Sequence, residues 1–257
     1  MDLEIIRQSS YLYILRERLD LLEPRFRTKY TNLYLLLGTH SAALIDTGCG
    51  MSGIGRTVRN LIGDRHLLVF NTHKHFDHVA GNREFEEIFI HKLDYKGIAF
   101  PIDLGFLKDS QTKQSREFEI IHYSMPTCKT INPLIGGEKF DLGDITVKVI
   151  FTPGHTGGSI CLESSTNELF SGDTIQYGAV YLPEPSLIDF YLETLEEMNI
   201  QNHRVFPGHE SYDLDGKVLE ELISSIKNMR NRKMKYDSYL GANIIEDGKF
   251  TLVVPIE

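Results

Sequence analysis

The stretch Thr72-His73-Lys74-His75-Phe76-Asp77-His78 puts three imidazoles and a carboxylate within six consecutive positions. Borderline-soft ring nitrogens combined with a hard carboxylate oxygen are the donor set that suits zinc. Drawn from the composition of this chain, His-x-His-x-Asp-His arises by chance on the order of once in a thousand such chains. In an extended segment His73 and His75 project to the same side, and Asp77 and His78, beyond a turn, can face a second ion. One loop can therefore feed two metals.

Working outward, residues 67–70 form a short apolar run of the kind found in a strand covered on both faces, so the cluster sits on the loop leaving a central strand. Four or more donors per metal cannot come from one short loop, and three further candidates follow other apolar runs. His155 lies in Thr152-Pro153-Gly154-His155-Thr156-Gly157-Gly158-Ser159, Asp173 in Phe170-Ser171-Gly172-Asp173-Thr174, and His209 in Phe206-Pro207-Gly208-His209-Glu210. Each alone reads as a cap or turn residue; beside the cluster they read as its distant partners. Asp46, in Leu44-Ile45-Asp46-Thr47-Gly48, follows an early buried strand in the same way. His40, His66, His91, His122 and His203 have no such setting and read as structural or surface residues.

Further strands are expected at residues 11–15, 33–37, 42–45, 145–150, 159–162, 168–170, 205–206 and 250–254. Helices are expected at about 53–62, after Ser186-x-x-Asp189 read as a capping box, and over 218–226. This order suits a layered α/β sandwich. Residues 93–140 carry Pro101, Pro126, Pro133 and Gly136-Gly137 and read as helix plus long loops, a substrate-shaping insertion. Because the motifs spread from Asp46 to His209, residues 1–257 are expected to form one domain.

A chain that is 41% hydrophobic and 25% charged has the composition of an ordinary globular protein. Its net charge of −9 repels phosphate backbones, which makes nucleic acid an unlikely partner and favours a small-molecule substrate. Cys49, Cys128 and Cys161 form no C-x-x-C pair and read as reduced thiols of a cytoplasmic protein. Charges interrupt the first twenty residues, unlike a signal peptide, and no apolar run approaches the roughly 20 residues that span a bilayer, so no membrane partner is expected. The oligomeric state is left open, a homodimer included.

In this order and spacing, Asp46, His73-His75-Asp77-His78, His155, Asp173 and His209 closely resemble the pattern of the metallo-β-lactamase superfamily over residues 32–209. The resemblance implies a four-layer αββα sandwich with the metals at one edge, between the sheets. It implies that His73, His75 and His155 hold one ion, that Asp77, His78 and His209 hold another, and that Asp173 bridges them. The ions would be two Zn2+, with Fe or Mn as alternatives for the same donors. Asp46 would orient a ligand histidine through its free ring nitrogen. Two cations sharing a water lower its pKa toward neutrality, so a bridging hydroxide can attack a carbonyl or phosphoryl centre, with Asp77 as general base.

A bridging Asp173 is glyoxalase II-like, whereas several true β-lactamases replace it, which favours thioester, ester or lactone hydrolysis. The flanks Pro153-Gly154-His155 and Leu169-Phe170-Ser171-Gly172-Asp173 are similar to the branch that includes acyl-CoA thioesterases. Tyr177 and Tyr181 are candidate donors to a substrate oxygen, and the basic stretch from Lys227 to Lys235 is a candidate grip for an anionic thiol carrier. The alternatives are a mono-iron persulfide dioxygenase, which keeps the same donors, and a phosphodiesterase or nuclease of the same fold.

Overall fold

Neighbouring residues on the central strands face opposite layers, as the period of two requires. In the computed structural model, which describes residues 3–26, 28–183, 185–200 and 202–255, Tyr34 and Leu36 meet Val147, Val149, Phe170 and Phe206 in a core between two sheets. Their neighbours Leu33 and Leu35 face away, toward Ile54, Val58 and Ile62 of the helix Ile54–Ile62. On the second sheet Leu169 and Val205 likewise face away, toward the helices Ile188–Glu197 and Lys217–Met229. Burial on both faces is why these strands read as uninterrupted apolar runs, and the resulting order of layers is helix, sheet, sheet, helix.

The first sheet runs Glu4–Arg7, Leu12–Arg18, Tyr30–Leu37, Ser41–Ile45, His66–Phe70, Glu87–His91, Thr130–Leu134 in spatial order, and its last four strands are parallel. The second runs Lys139–Asp141, Thr146–Phe151, Ile160–Ser164, Glu168–Gly172, Arg204–Pro207, Leu214–Asp215, with Glu168–Gly172 and Arg204–Pro207 parallel. Parallel strands deliver their carboxyl ends to one edge, where ligands of open α/β sheets gather. Asp46, the 71–78 loop, Asp173 and His209 all follow such ends.

Two expectations are corrected. The irregular segment is shorter than 93–140, because Thr130–Leu134 and Lys139–Asp141 are strands at the edges of the two sheets. Pro133 is tolerated there since an edge strand leaves N–H groups unpaired. The Ser186-x-x-Asp189 box does not form: a 3-10 turn, Pro185–Leu187, precedes the helix, so Ser186 lies inside a turn and the N-cap position falls to Leu187. The expected carboxyl-terminal strand forms, within a third sheet of four strands in the order Gly178–Tyr181, Phe250–Pro255, Ala242–Asp247, Lys235–Asp237, which packs beside the candidate site. Met1, Asp2, Ile256 and Glu257 lie outside the described residues. No helix among the described residues is long and apolar enough to cross a membrane.

Candidate metal centre

All seven side chains expected to hold metal converge at this edge, in the overlapping groups His73–His75–His155, His73–His78–Asp173 and Asp77–His78–His209. His155 Nε2 lies 3.2 Å from His73 Nε2 and 2.8 Å from His75 Nδ1. His209 Nε2 lies 3.2 Å from His78 Nε2, 3.4 Å from Asp77 Oδ2 and 3.2 Å from Asp173 Oδ2. Asp173 stands between the groups, with Oδ1 3.3 Å from His78 Nε2 and Oδ2 3.5 Å from His155 Nε2. The approach of these loops depends on glycine at Gly208, where a Cβ would come 2.5 Å from Asp173 Oδ1 and 2.7 Å from His78 Cε1.

The far ring nitrogens are held by acceptors, which fixes the tautomers. Carbonyl oxygens accept but never donate, so Nδ1–H of His155 donates to Tyr181 O (2.6 Å) and Nδ1–H of His209 to Tyr30 O (2.9 Å). Asp46, in the left-handed region at φ 62°, places its carboxylate beneath the cluster. Its Oδ2 accepts from His78 Nδ1 (2.7 Å) and from the Thr72 hydroxyl (2.8 Å), while Oδ1 accepts from Thr72 N (2.8 Å). Because the Thr72 proton is committed to Asp46, its oxygen accepts from His73 Nδ1, 3.0 Å away. Four histidines therefore present Nε2 to the interior as an available lone pair when neutral.

These donors fit a divalent metal. Donors on one tetrahedral zinc ion sit about 3.3 Å apart, given bonds of about 2.0–2.1 Å, close to the separations seen here. Asp173 Oδ1 is buried without a hydrogen-bond partner, and lone pairs of His73 and His155 facing each other repel unless a cation lies between them.

The electrostatics divide the cluster. Burial, together with neighbouring imidazoles, pushes the pKa values of His73 and His75 well below the ordinary histidine value, and burial also lowers that of His155. Burial opposes charge on His78 as well, but Asp173, Asp46 and Asp77 outweigh it and hold its pKa well above the ordinary value. At His209 burial is likewise outweighed, chiefly by Asp173, and the pKa is raised. Burial pushes the Asp173 carboxyl up, yet His209 and His78 win and hold it well below the usual carboxylate range.

Sequence reasoning missed Asp94. This buried carboxylate accepts from Thr156 Oγ1 (2.6 Å) and Lys74 N (3.1 Å) through Oδ2 and from Gly158 N (3.1 Å) through Oδ1. It thereby ties the loop carrying His73 and His75 to the loop carrying His155. No motif announces it, because two of its three donors are main-chain groups.

Of the two tyrosines, Tyr181 lines the cavity in front of the cluster, whereas Tyr177 does not reach it. The Tyr177 hydroxyl bonds Glu221 (2.9 Å) and Lys249 (3.3 Å), and its ring packs on Phe250. Position soon after Asp173 in sequence misleads here, since the intervening chain turns into the strand Gly178–Tyr181. The basic stretch is also elsewhere: Lys227 pairs with Glu196, Arg230 with Asp189 and Arg232 with Asp247 on the outer surface.

The chain belongs to the metallo-β-lactamase superfamily: the family described as "Metallo-beta-lactamase superfamily" matches residues 27–236. It is 29% identical over 198 residues to the acyl-coenzyme A thioesterase MBLAC2 of Gallus gallus, covering 69% of this chain and 72% of that protein. It is 26% identical over 228 residues to the hydroxyacylglutathione hydrolase of Rippkaea orientalis, covering 81% and 79%. Among solved structures, a metallo-beta-lactamase family protein from Thermus thermophilus superposes with a TM-score of 0.64 at 21% identity, covering 86% of this chain and 81% of that one. The fold is thus the α/β sandwich of that superfamily, and its His/Asp cluster is one that can hold metal.

Proposed function

We propose that this protein is a binuclear metal-dependent hydrolase of a small thioester, with esters and lactones as the neighbouring chemistry. The observation that carries the reading is the convergence of seven donors around a single carboxylate, Asp173, within reach of both histidine groups. His73, His75 and His155 would hold one ion, Asp77, His78 and His209 the other, with Asp173 shared. When bound, such ions, zinc in our reading, supply Lewis-acid polarisation of the acyl oxygen and a water acidic enough to serve as nucleophile near neutral pH.

The chain's own groups do the rest. Asp77 borders the cavity, with Oδ2 3.4 Å from His209 Nε2, and in our reading its carboxylate would take a proton from the attacking water. Asp46, Tyr30 O and Tyr181 O lock three imidazoles in the orientation that turns Nε2 inward, so little reorganisation accompanies reaction. Relatives that act on acyl-coenzyme A and on hydroxyacylglutathione support thioesters as the bond class. Lys74 supports an anionic carrier: it borders the cavity and, among the described residues, its ammonium has no carboxylate partner, whereas Arg25 at the same cavity is paired with Glu23.

Elemental analysis of the purified protein, followed by thioester, lactone, phosphodiester and β-lactam substrates with and without chelator, tests the proposal. Two zinc equivalents and chelator-sensitive thioester cleavage are expected, lost in His73→Ala and Asp77→Ala. One iron per chain with oxygen uptake, or cleavage that survives either substitution, would sink it.

A further inference from the structure

Four aromatic rings from four separate segments, Phe26, Phe76, Phe106 and Tyr181, stand together on one wall of the cavity in front of the donor cluster. Their centroids are 5.1 Å (Phe76–Phe106), 6.1 Å (Phe26–Phe76), 6.3 Å (Phe26–Phe106) and 6.3 Å (Phe26–Tyr181) apart. None is fully buried, and Phe106 is 37% exposed. Four rings that leave open faces toward the same space hold apolar surface against water at a concave site, an arrangement that favours an apolar occupant.

The wall begins at the chemistry. Phe76 lies between His75 and Asp77 in the chain, and the Tyr181 carbonyl accepts from His155. An acyl group whose carbonyl reaches the donor cluster would therefore run along these rings.

The wall is also braced against collapse. Buried Glu23 pairs with Arg25, whose guanidinium also donates to the Phe106 carbonyl at 2.9 Å, tying the segment of Phe26 to that of Phe106. Ser110 donates to Glu23, Thr112 Oγ1 donates to Leu22 O at 3.2 Å, and Tyr239 Oη donates to Pro24 O at 2.6 Å. With its rim fixed, the cavity keeps a volume of about 610 Å³, within the roughly 300–1,000 Å³ of sites that take drug-sized ligands.

We infer that the acyl half of the substrate is an extended apolar chain seated on the Phe26–Phe76–Phe106–Tyr181 wall, in contrast to a short hydroxylated acyl group. The inference rests on the hydrolase reading for the placement of the acyl carbonyl, but the wall itself can be tested without catalysis.

The first measurement is calorimetric titration of the wild-type protein, held metal-free by chelator, with straight-chain amides of increasing length. Affinity should rise about fourfold per methylene, the gain from burying one such group, from about two to about eight carbons. Phe106→Ala, a partly exposed position, should flatten that slope. The second measurement is kcat/KM of the metal-loaded protein over acyl thioesters of one carrier, where the same rise is expected, with Phe26→Ala lowering the long-to-short ratio. An amide affinity that does not change with length overturns the inference, whether or not thioesters are cleaved. A rising amide series with no thioester cleaved at any length leaves the apolar site standing and removes the hydrolase reading instead.

Discussion

The two halves of the donor cluster both rest on histidines but are supported differently. His73, His75 and His155 are low-pKa imidazoles, kept neutral chiefly by burial and further by neighbouring imidazoles, His78 among them. Their loops are joined by Asp94, a carboxylate whose hydrogen bonds go to Lys74, Thr156 and Gly158 and to none of their rings. His78 and His209 share their half with Asp77 and lean on Asp173, so that their pKa values are raised. One half is organised through main-chain donors around it, the other through direct charge contacts within it. Metal entering the first half meets open lone pairs, whereas metal entering the second competes with imidazoles that keep their protons to higher pH.

The largest test of this division is the residue that joins the halves. Asp173→Asn keeps the shape but removes the charge that both groups face, and hydrolysis should fall on the order of 10³-fold, as when a main electrostatic stabiliser of a transition state is lost. Both metal equivalents should weaken together in a chelator competition. Weakening of one alone would show that Asp173 belongs to a single half.

The supports come next, and their effects should differ in reach. Asp46 bonds His78 directly and His73 through Thr72, so Asp46→Asn should weaken both equivalents, by about 10- to 100-fold, as is usual for partners that orient metal ligands. Asp94→Asn presents an amide NH2 to donors that need acceptors, and it should weaken only the His73–His75–His155 equivalent, by about tenfold. The readout is stepwise metal titration against a chromophoric chelator. Equal weakening of both equivalents in Asp94→Asn would break the proposed division of labour.

That contrast also explains what could be read from the sequence. His73, His75, Asp77, His78, His155, Asp173 and His209 were legible because each follows an apolar run, and in a sandwich of largely buried strands such runs end at the rim. Asp46 was legible for the same reason. Asp94 was not, since its partners Lys74, Thr156 and Gly158 are 20 to 64 positions away and two of them contribute only main-chain N–H. The aromatic wall was illegible too: Phe26, Phe76, Phe106 and Tyr181 share no periodicity and meet only because the 23–26 and 105–110 segments fold over the site. The hairpin that joins the two carboxyl-terminal strands was missed, although its two-residue loop Gly248-Lys249 puts Gly248, at φ 57°, at the first loop position, where such turns favour glycine. Tyr177 was misplaced because closeness to Asp173 along the chain says nothing of direction.

The smallest effect expected is on protons, and its sign follows from the same division. His78 and His209 have folded-state pKa values above the ordinary value of about 6.5. Without metal, they contribute stability that is fully present below that value and is lost as pH rises through their raised folded values. His73, His75 and His155 are depressed, so their contribution is present above about 6.5 and is lost as pH falls. The metal-free protein should therefore be most stable near pH 6.5 and lose stability on either side, and thermal unfolding across pH under chelator measures it. Metal competes with protons more strongly in the second half, so below the raised pKa values its affinity should gain up to about tenfold per pH unit for each proton released, while that of the first half stays nearly flat. Calorimetry of each binding step in two buffers of different ionisation enthalpy counts those protons directly. Equal release in both steps would mean that the halves are electrostatically alike, and that the charges on His78 and His209 do not distinguish them.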